Sequence, residues 1–333
     1  MKVGLIEEMT VAIGPLEFFD GHRLEAVEQR VTIYGDRSLP VVLVAHALTG
    51  SSRVADWWPG MVGDGQLFDP NRFCIVGINT LGGCYGSSGP QTVDPFPRVT
   101  VRDIVAAEAR ALDALGIAEV DVVIGGSLGG MQALQWALDC PHRVKHAVML
   151  GAHDHQSAMG IALNAIQRDA IAIDPALGLR VARKIAMLSY KSSELLRSRH
   201  ERRPDRKGRF RFDVEGYLEH QADLFEARMD PRSYVALTHA MDSFDVRDHA
   251  AARTSRSLVP RDDQQPKLLF VGISSDWLFE PGDVRAAAER FARLGYDSEY
   301  REIQSDHGHD AFLAEPKALT ALLASAPSLA TLF

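Results

Sequence analysis

Cysteine, long apolar runs and an excess of basic charge are all in short supply in this chain. Its three cysteines, Cys74, Cys84 and Cys140, are odd in number and have no C-x-x-C spacing, which excludes a disulfide framework or a cysteine zinc site as the organising feature. No apolar stretch reaches the roughly 20 residues that cross a bilayer, and the opening MKVGLIEEMT has acids where a secretory signal needs an apolar core. A cytoplasmic protein with reduced thiols is the expectation. Acids outnumber bases 44 to 36 for a formal net charge of −8, which argues against nucleic acid or an anionic membrane as the partner. Internal repeats are absent too. What remains is a chain of 333 residues, 46% hydrophobic and 24% charged, able to fold around a sizeable core.

The stretch VDVVIGGSLGGMQALQWA, Val120–Ala137, organises the rest. Val120, Val122, Val123 and Ile124 form the apolar run of a strand buried on both faces. Gly125-Gly126-Ser127-Leu128-Gly129 then turns into a helical pattern carried by Met131, Leu134, Gln135 and Leu138. Strand, G-x-S-x-G and helix in succession are the nucleophile elbow of the α/β-hydrolase fold. The turn is tight enough that Gly125 and Gly129 have no room for a Cβ, and it leaves the Ser127 hydroxyl at an exposed tip.

Around this elbow the chain alternates. Leu16–Tyr34 reads as two strands about Asp20-Gly21, a hairpin signal. Val41–Val44 and Cys74–Ile78 are short buried strands followed by the loops HALTGSS and NTLGGCYGSSGP, Val101–Leu115 is a helix, and Ala147–Leu150 is a further strand. From Asp154 to Pro260 only helical periodicity is found: Ile161–Ile171, Leu177–Leu188, Val214–Phe225 and Pro231–Met241, the last capped by Asp230. Alternation resumes with strand Lys267–Ile273, helix Asp283–Leu294, strand Ser298–Ile303 and helix Ala318–Leu323. The expected architecture is therefore an α/β-hydrolase core, 1–153 and 261–333, doubly wound about a mostly parallel sheet, with a helical lid inserted at 154–260. The basic run Arg197–Arg211 within that lid reads as a solvated loop.

A serine hydroxyl needs a base, and the base an orienting carboxylate. In this fold they follow the nucleophile in the order acid, histidine. Asp276 follows strand Lys267–Ile273, and of 12 histidines only His307 and His309 lie in the loop after the last strand. The residues alone leave the choice between these two open. The fold also supplies two backbone amides for an oxyanion, here those of Leu128 and Leu48. His153 with His155, or His307 with His309, lack third and fourth ligands at metal spacing, so no metal is expected.

With HALTGSS, LGGCYGSSGP, GGSLGGMQALQWA, SDWLFEP and DHGHDAF read in this order, the chain resembles the homoserine O-acetyltransferase family over roughly residues 25 to 320. The resemblance implies a two-step reaction in which Ser127 takes the acetyl group from acetyl-CoA and the hydroxyl of L-homoserine removes it, serving methionine biosynthesis. It implies that the base is the histidine of the G-H-D string, His309. It also implies that Arg183, Tyr190 and Asp310 hold the amino-acid acceptor, that acetyl-CoA is a co-substrate with no permanently bound cofactor, and that the chain forms a homodimer through the lid. Arg183 and Tyr190, seven residues apart, share a helix face. Relatives that use succinyl-CoA, or serine as acceptor, and ester or thioester hydrolases are the rival readings. A succinyl carboxylate calls for a cation near Ser127, and LGGCYGSSGP contains none.

Overall fold

A strand whose residues are apolar on both sides can only sit between two layers, and β5 (Val120–Gly126) does so at the centre of the molecule. The computed structural model describes residues 6–200, 202, 204–205, 208–209, 212–248 and 265–333. An eight-stranded sheet runs through it in the order β1-β2-β4-β3-β5-β6-β7-β8. β1 (Ile6–Glu17), β2 (Arg23–Tyr34) and β4 (Cys74–Ile78) are joined antiparallel, whereas β3 (Val41–Ala45), β5, β6 (Val144–Leu150), β7 (Lys267–Ile273) and β8 (Ser298–Ile303) continue parallel from β4. Alternate side chains divide the core. Leu43, Val76, Val123, Met149 and Phe270 face one layer with helices α2 (Val101–Ala114) and α3 (Leu128–Asp139), while Val44, Ile75, Ile124, Val148 and Val271 face the other, with Val54 of the short helix α1 (Val54–Trp57).

The expected mostly parallel α/β sheet is thus what the chain forms, with two differences. The first strand does not begin at Leu16 but spans Ile6–Glu17, pairing with β2 through register shifts around Gly14. Gly14-Pro15 looks like punctuation in sequence, but here it marks an irregularity within a continuing edge strand. β6 also begins three residues before Ala147, at Val144.

Between β6 and β7 the chain forms α4 (Ala158–Ile173), α5 (Pro175–Ser189), α6 (Ser193–His200), α7 (Asp213–Glu226) and α8 (Pro231–Asp242). Ser157, Asp174 and Asp230 cap three of them by accepting backbone N–H groups one turn ahead. Where this segment leaves the sheet and returns, the two strands of chain are tied together. The amide of Val246 donates to the Asp154 carbonyl and that of Gln156 to the Phe244 carbonyl, both at 2.9 Å. The run Arg197–Arg211, expected as a loop, begins on α6. Ser192 starts that helix by accepting the Leu195 amide, and Leu195 is buried beneath it. Positions 201, 203, 206, 207, 210 and 211 of the run, and 249–260 of the expected lid, lie outside the described residues.

Packing of α2 on α3 buries one acid. The Trp136 indole donates to the Glu108 carboxyl at 2.7 Å, and burial pushes that carboxyl up to about 8 despite this bond. A folded-state value above the ordinary 4.5 means that the native state holds a proton the unfolded chain gives up, so stability is lost as pH rises from about 4.5 through about 8. Glu108→Gln should therefore raise Tm more at pH 8 than at pH 5; an equal effect at both pH values, followed by thermal melts, would refute a protonated Glu108.

Candidate active site

Backbone contact determines the shape of the elbow. A Cβ placed on Gly129 would lie 2.1 Å from the Ala45 carbonyl oxygen, and one on Gly125 would lie 2.4 Å from the Gly129 backbone. Only glycine lets β5, α3 and the end of β3 approach this closely. Between the glycines, Ser127 has φ 56° and ψ −123°, the one positive φ among described non-glycine residues. Such a conformation costs on the order of 1–3 kcal/mol and persists only where its surroundings hold it. The Ser127 amide donates to the Leu150 carbonyl at 2.9 Å. Ser127, expected at an exposed tip, is only 6% accessible as a residue, so the turn sits beneath the surface.

Asp276 and His309 are brought together. His309 Nδ1 and Asp276 Oδ2 are 2.7 Å apart, both side chains being buried. The other oxygen, Oδ1, accepts the amides of Leu278 and Phe279 at 2.9 and 3.0 Å. One carboxylate thus closes the turn with one oxygen and holds the imidazole with the other. His307 is elsewhere, its Nε2 3.7 Å from Glu315. The bond to Ser127 is not made in this structure: His309 Nε2 is buried and without a hydrogen-bond partner among the described residues. Contacts nevertheless carry it to the elbow. A Cβ on Gly151, next to Leu150, would meet the His309 ring at 3.3 Å, and Phe312, in edge contact with His309, lies against Gly126.

Aromatic rings enclose this histidine. Phe279 stacks on it at 5.1 Å between centroids, and Tyr190 and Phe312 each lie at 5.7 Å. Burial lowers its pKa, but the charges of Asp276 and, more weakly, Asp310 outweigh burial, so the net direction is upward.

The amides expected to receive an oxyanion are available, since neither Leu48 nor Leu128 donates to any partner among the described residues. The Leu48 loop is held by His46. The Thr80 amide donates to His46 Nε2 at 3.0 Å and Nδ1 faces the Ala47 carbonyl at 2.8 Å. One nitrogen accepts and the other donates, so the ring is neutral and its tautomer determined; burial keeps its pKa down at about 4.

Of the expected acceptor residues, Arg183 has its Nε buried without a partner, and its guanidinium lies 4.8 Å from the Phe225 ring centre. Tyr190 follows α5, and burial pushes its hydroxyl up to about 12, so it stays protonated. Asp310 is already engaged, because Lys191 Nζ lies 2.6 Å from its Oδ2. Sequence reasoning missed Lys191 because it matched no motif, although it adjoins Tyr190. It missed Arg228 as well. That side chain donates from Nη1 to the Thr49 carbonyl and the Tyr85 hydroxyl, each at 2.7 Å. The LGGCYGSSGP loop has no cation of its own, as expected, but Arg228, between α7 and α8, reaches its Tyr85. His153, Asp154 and His155 cluster within 4.8 Å of one another, but Asp154 is already paired with Arg290 and, at 2.9 Å, with His155.

Residues 40–316 match the family of the alpha/beta hydrolase fold. Across 360 residues the chain is 36% identical to the homoserine O-succinyltransferase of Bordetella petrii, covering 94% of this chain and 84% of that one. It is also 36% identical over 312 residues to the homoserine O-acetyltransferase of Methanocorpusculum labreanum, covering 83% and 63% of the two. Among solved structures, the homoserine O-acetyltransferase of Staphylococcus aureus superposes with a TM-score of 0.82 at 30% identity, over 95% of this chain and 94% of that one.

A base must be neutral to accept a proton, so if His309 has the expected role, its upward shift places the acid limb of activity above the ordinary histidine value of 6.5. Hydrolysis of p-nitrophenyl acetate should rise with pH along a limb centred above 6.5. Asp276→Asn should move that midpoint down and slow turnover by up to about 10⁴-fold, while His307→Ala leaves both within about twofold. An unmoved midpoint in the Asn variant would remove Asp276 from this role.

Proposed function

The chain belongs to the homoserine O-acyltransferase family of the alpha/beta hydrolase fold, and on that premise we propose that it moves an acetyl group from acetyl-CoA to the hydroxyl of L-homoserine through an acyl-enzyme on Ser127. The observation that carries this reading is the buried, partnerless Nε2 of His309 with Nδ1 held by Asp276. In the first step Ser127 Oγ attacks the thioester carbonyl, His309 takes the serine proton, and the amides of Leu48 and Leu128 receive the oxyanion. The thiol then departs with that proton. In the second step His309 deprotonates the homoserine hydroxyl, which attacks the acyl group and restores Ser127.

The acceptor carries one charge of each sign. Arg183 suits its carboxylate, in a position where the guanidinium has no ion-pair partner among the described residues. Asp310 suits the ammonium group with the oxygen that Lys191 leaves free. Tyr190, still protonated, adds a hydroxyl. Water at its far higher concentration must lose to this acceptor. The helices of 154–260, acting as a lid, would favour the acceptor by excluding water and by holding homoserine in place.

Acetyl as the acyl group is supported by the LGGCYGSSGP loop, which has no charged side chain of its own to meet a succinyl carboxylate. Succinyl is the second reading, favoured by the Arg228 cation beside Tyr85. We place the enzyme in the cytoplasm, where Cys74, Cys84 and Cys140 stay reduced; no described helix is long and apolar enough to cross a membrane. Homodimerisation through the lid has support in its exposed apolar residues Ile166, Ile173, Leu177 and Leu188 on α4 and α5.

Thiol release from acetyl-CoA and succinyl-CoA, each with homoserine, serine or no acceptor, tests the reading. The expected outcome is homoserine-dependent release from acetyl-CoA with O-acetylhomoserine identified by mass spectrometry. Preference for succinyl-CoA or serine changes the substrate and keeps the mechanism, whereas release indifferent to every acceptor makes the protein a hydrolase. Ser127→Ala should abolish the burst. Arg183→Ala should spare the burst and raise the homoserine KM by on the order of a hundredfold, the loss of a charge-assisted pair.

A further inference from the structure

Arg228 is exposed, sits between α7 and α8, and makes no ion pair among the described residues. Its guanidinium instead joins parts of the molecule distant in sequence. Nη1 donates to the carbonyl of Thr49, next to Leu48, and to the hydroxyl of Tyr85, both at 2.7 Å. Cys84, beside Tyr85, meets the same turn through its Sγ, 3.6 Å from the Arg228 carbonyl oxygen and 3.4 Å from the Met229 sulfur.

The loop so engaged is held from within by His46, through Thr80 and the Ala47 carbonyl, and by the turn in which the Gly50 amide donates to the Ala47 carbonyl at 2.9 Å. On the side of the helical segment, the described hydrogen bond to its backbone comes from Arg228. The same guanidinium rests 5.3 Å from the centre of the Phe225 ring, where Arg183 also lies at 4.8 Å. Phe225 is itself buried and set edge-on to Tyr234. One rigid ring thus supports both the arginine suited to the acceptor carboxylate and the arginine that grips the loop.

We propose that Arg228 is a positioning residue for acyl transfer: by bridging Thr49 and Tyr85 it holds the Leu48 amide where the oxyanion forms, so that the oxyanion site is complete only when the helical segment is docked on it. The inference rests on the Ser127 acyl-enzyme reading. A preorganised donor acts because it need not be reoriented when charge develops, and deleting one such donor outright costs about 10²–10³-fold. Loosening a loop that carries the donor should cost less.

The test compares wild type with Arg228→Ala, Arg228→Lys and Tyr85→Phe, following the acylation burst and the mass of the Ser127 peptide with acetyl-CoA and with p-nitrophenyl acetate, which has no phosphate or carboxylate. Arg228→Ala should slow acylation about 10- to 100-fold with both donors, with the acetyl-CoA KM moving less than about threefold. Arg228→Lys, which keeps one donor for Thr49 but loses the planar fork, should recover part of the rate. Tyr85→Phe leaves the Thr49 bond in place and should lose less than Arg228→Ala. Thermal melts check that the variants fold, and the Lys and Phe variants carry the test if the Ala variant does not. Unchanged acylation in all three overturns the proposal, as does a loss confined to acetyl-CoA and read in its KM, which would make Arg228 an anion-binding residue. An unlabelled Ser127 in the wild type overturns the acyl-enzyme reading and this proposal with it.

Discussion

Three stretches of backbone meet at the elbow with no space for a single additional carbon, and the candidate site depends on that contact. Gly125 and Gly129 close on each other and on the carbonyl of Ala45, so β3, β5 and α3 cannot move apart without dissolving the turn. The contact forces Ser127 into a backbone conformation that no other described non-glycine residue adopts. It also sets the loop beginning at His46 directly after the strand end that the glycines touch. Ser127 and the Leu48 loop are therefore placed by one close approach.

From there the arrangement spreads through groups that each do two things. Asp276 closes its own turn with one oxygen and orients His309 with the other. His46 accepts from one loop and donates within its own, which is possible because burial keeps it neutral. His309 is packed among Phe279, Tyr190 and Phe312, so the ring is oriented by apolar contact as well as by the carboxylate. A buried Nε2 without a partner is costly unless something arrives to use it.

Much of this was legible in sequence because the relevant signals are local. A buried strand, a G-x-S-x-G turn and a helix lie within 18 consecutive residues, Val120–Ala137, and the late strands are followed by Asp276 and by a loop with His307 and His309, between which only the family resemblance chose. The contacts that escaped are those made between segments far apart in the chain. Nothing near Arg228 predicts Thr49, 179 residues away, and Lys191 becomes relevant only once the end of α5 is docked on Asp310, 119 residues on. Edge strands are hard for a related reason. β1 has one half-exposed face and a bulge at Gly14, so its alternation is weak, whereas a two-faced buried strand such as β5 announces itself.

The helices from α4 to α8 leave and rejoin the sheet at one place, where Asp154 and Gln156 pair with Val246 and Phe244. Arg183 and Tyr190 lie on this excursion, while Ser127, Asp276 and His309 lie on the ends of sheet strands or just beyond them. The two groups therefore sit on separable parts of the chain. The junction at Asp154 and Val246 is the seam at which one relative's helical segment can be exchanged for another's while the sheet that carries Ser127, Asp276 and His309 stays in place.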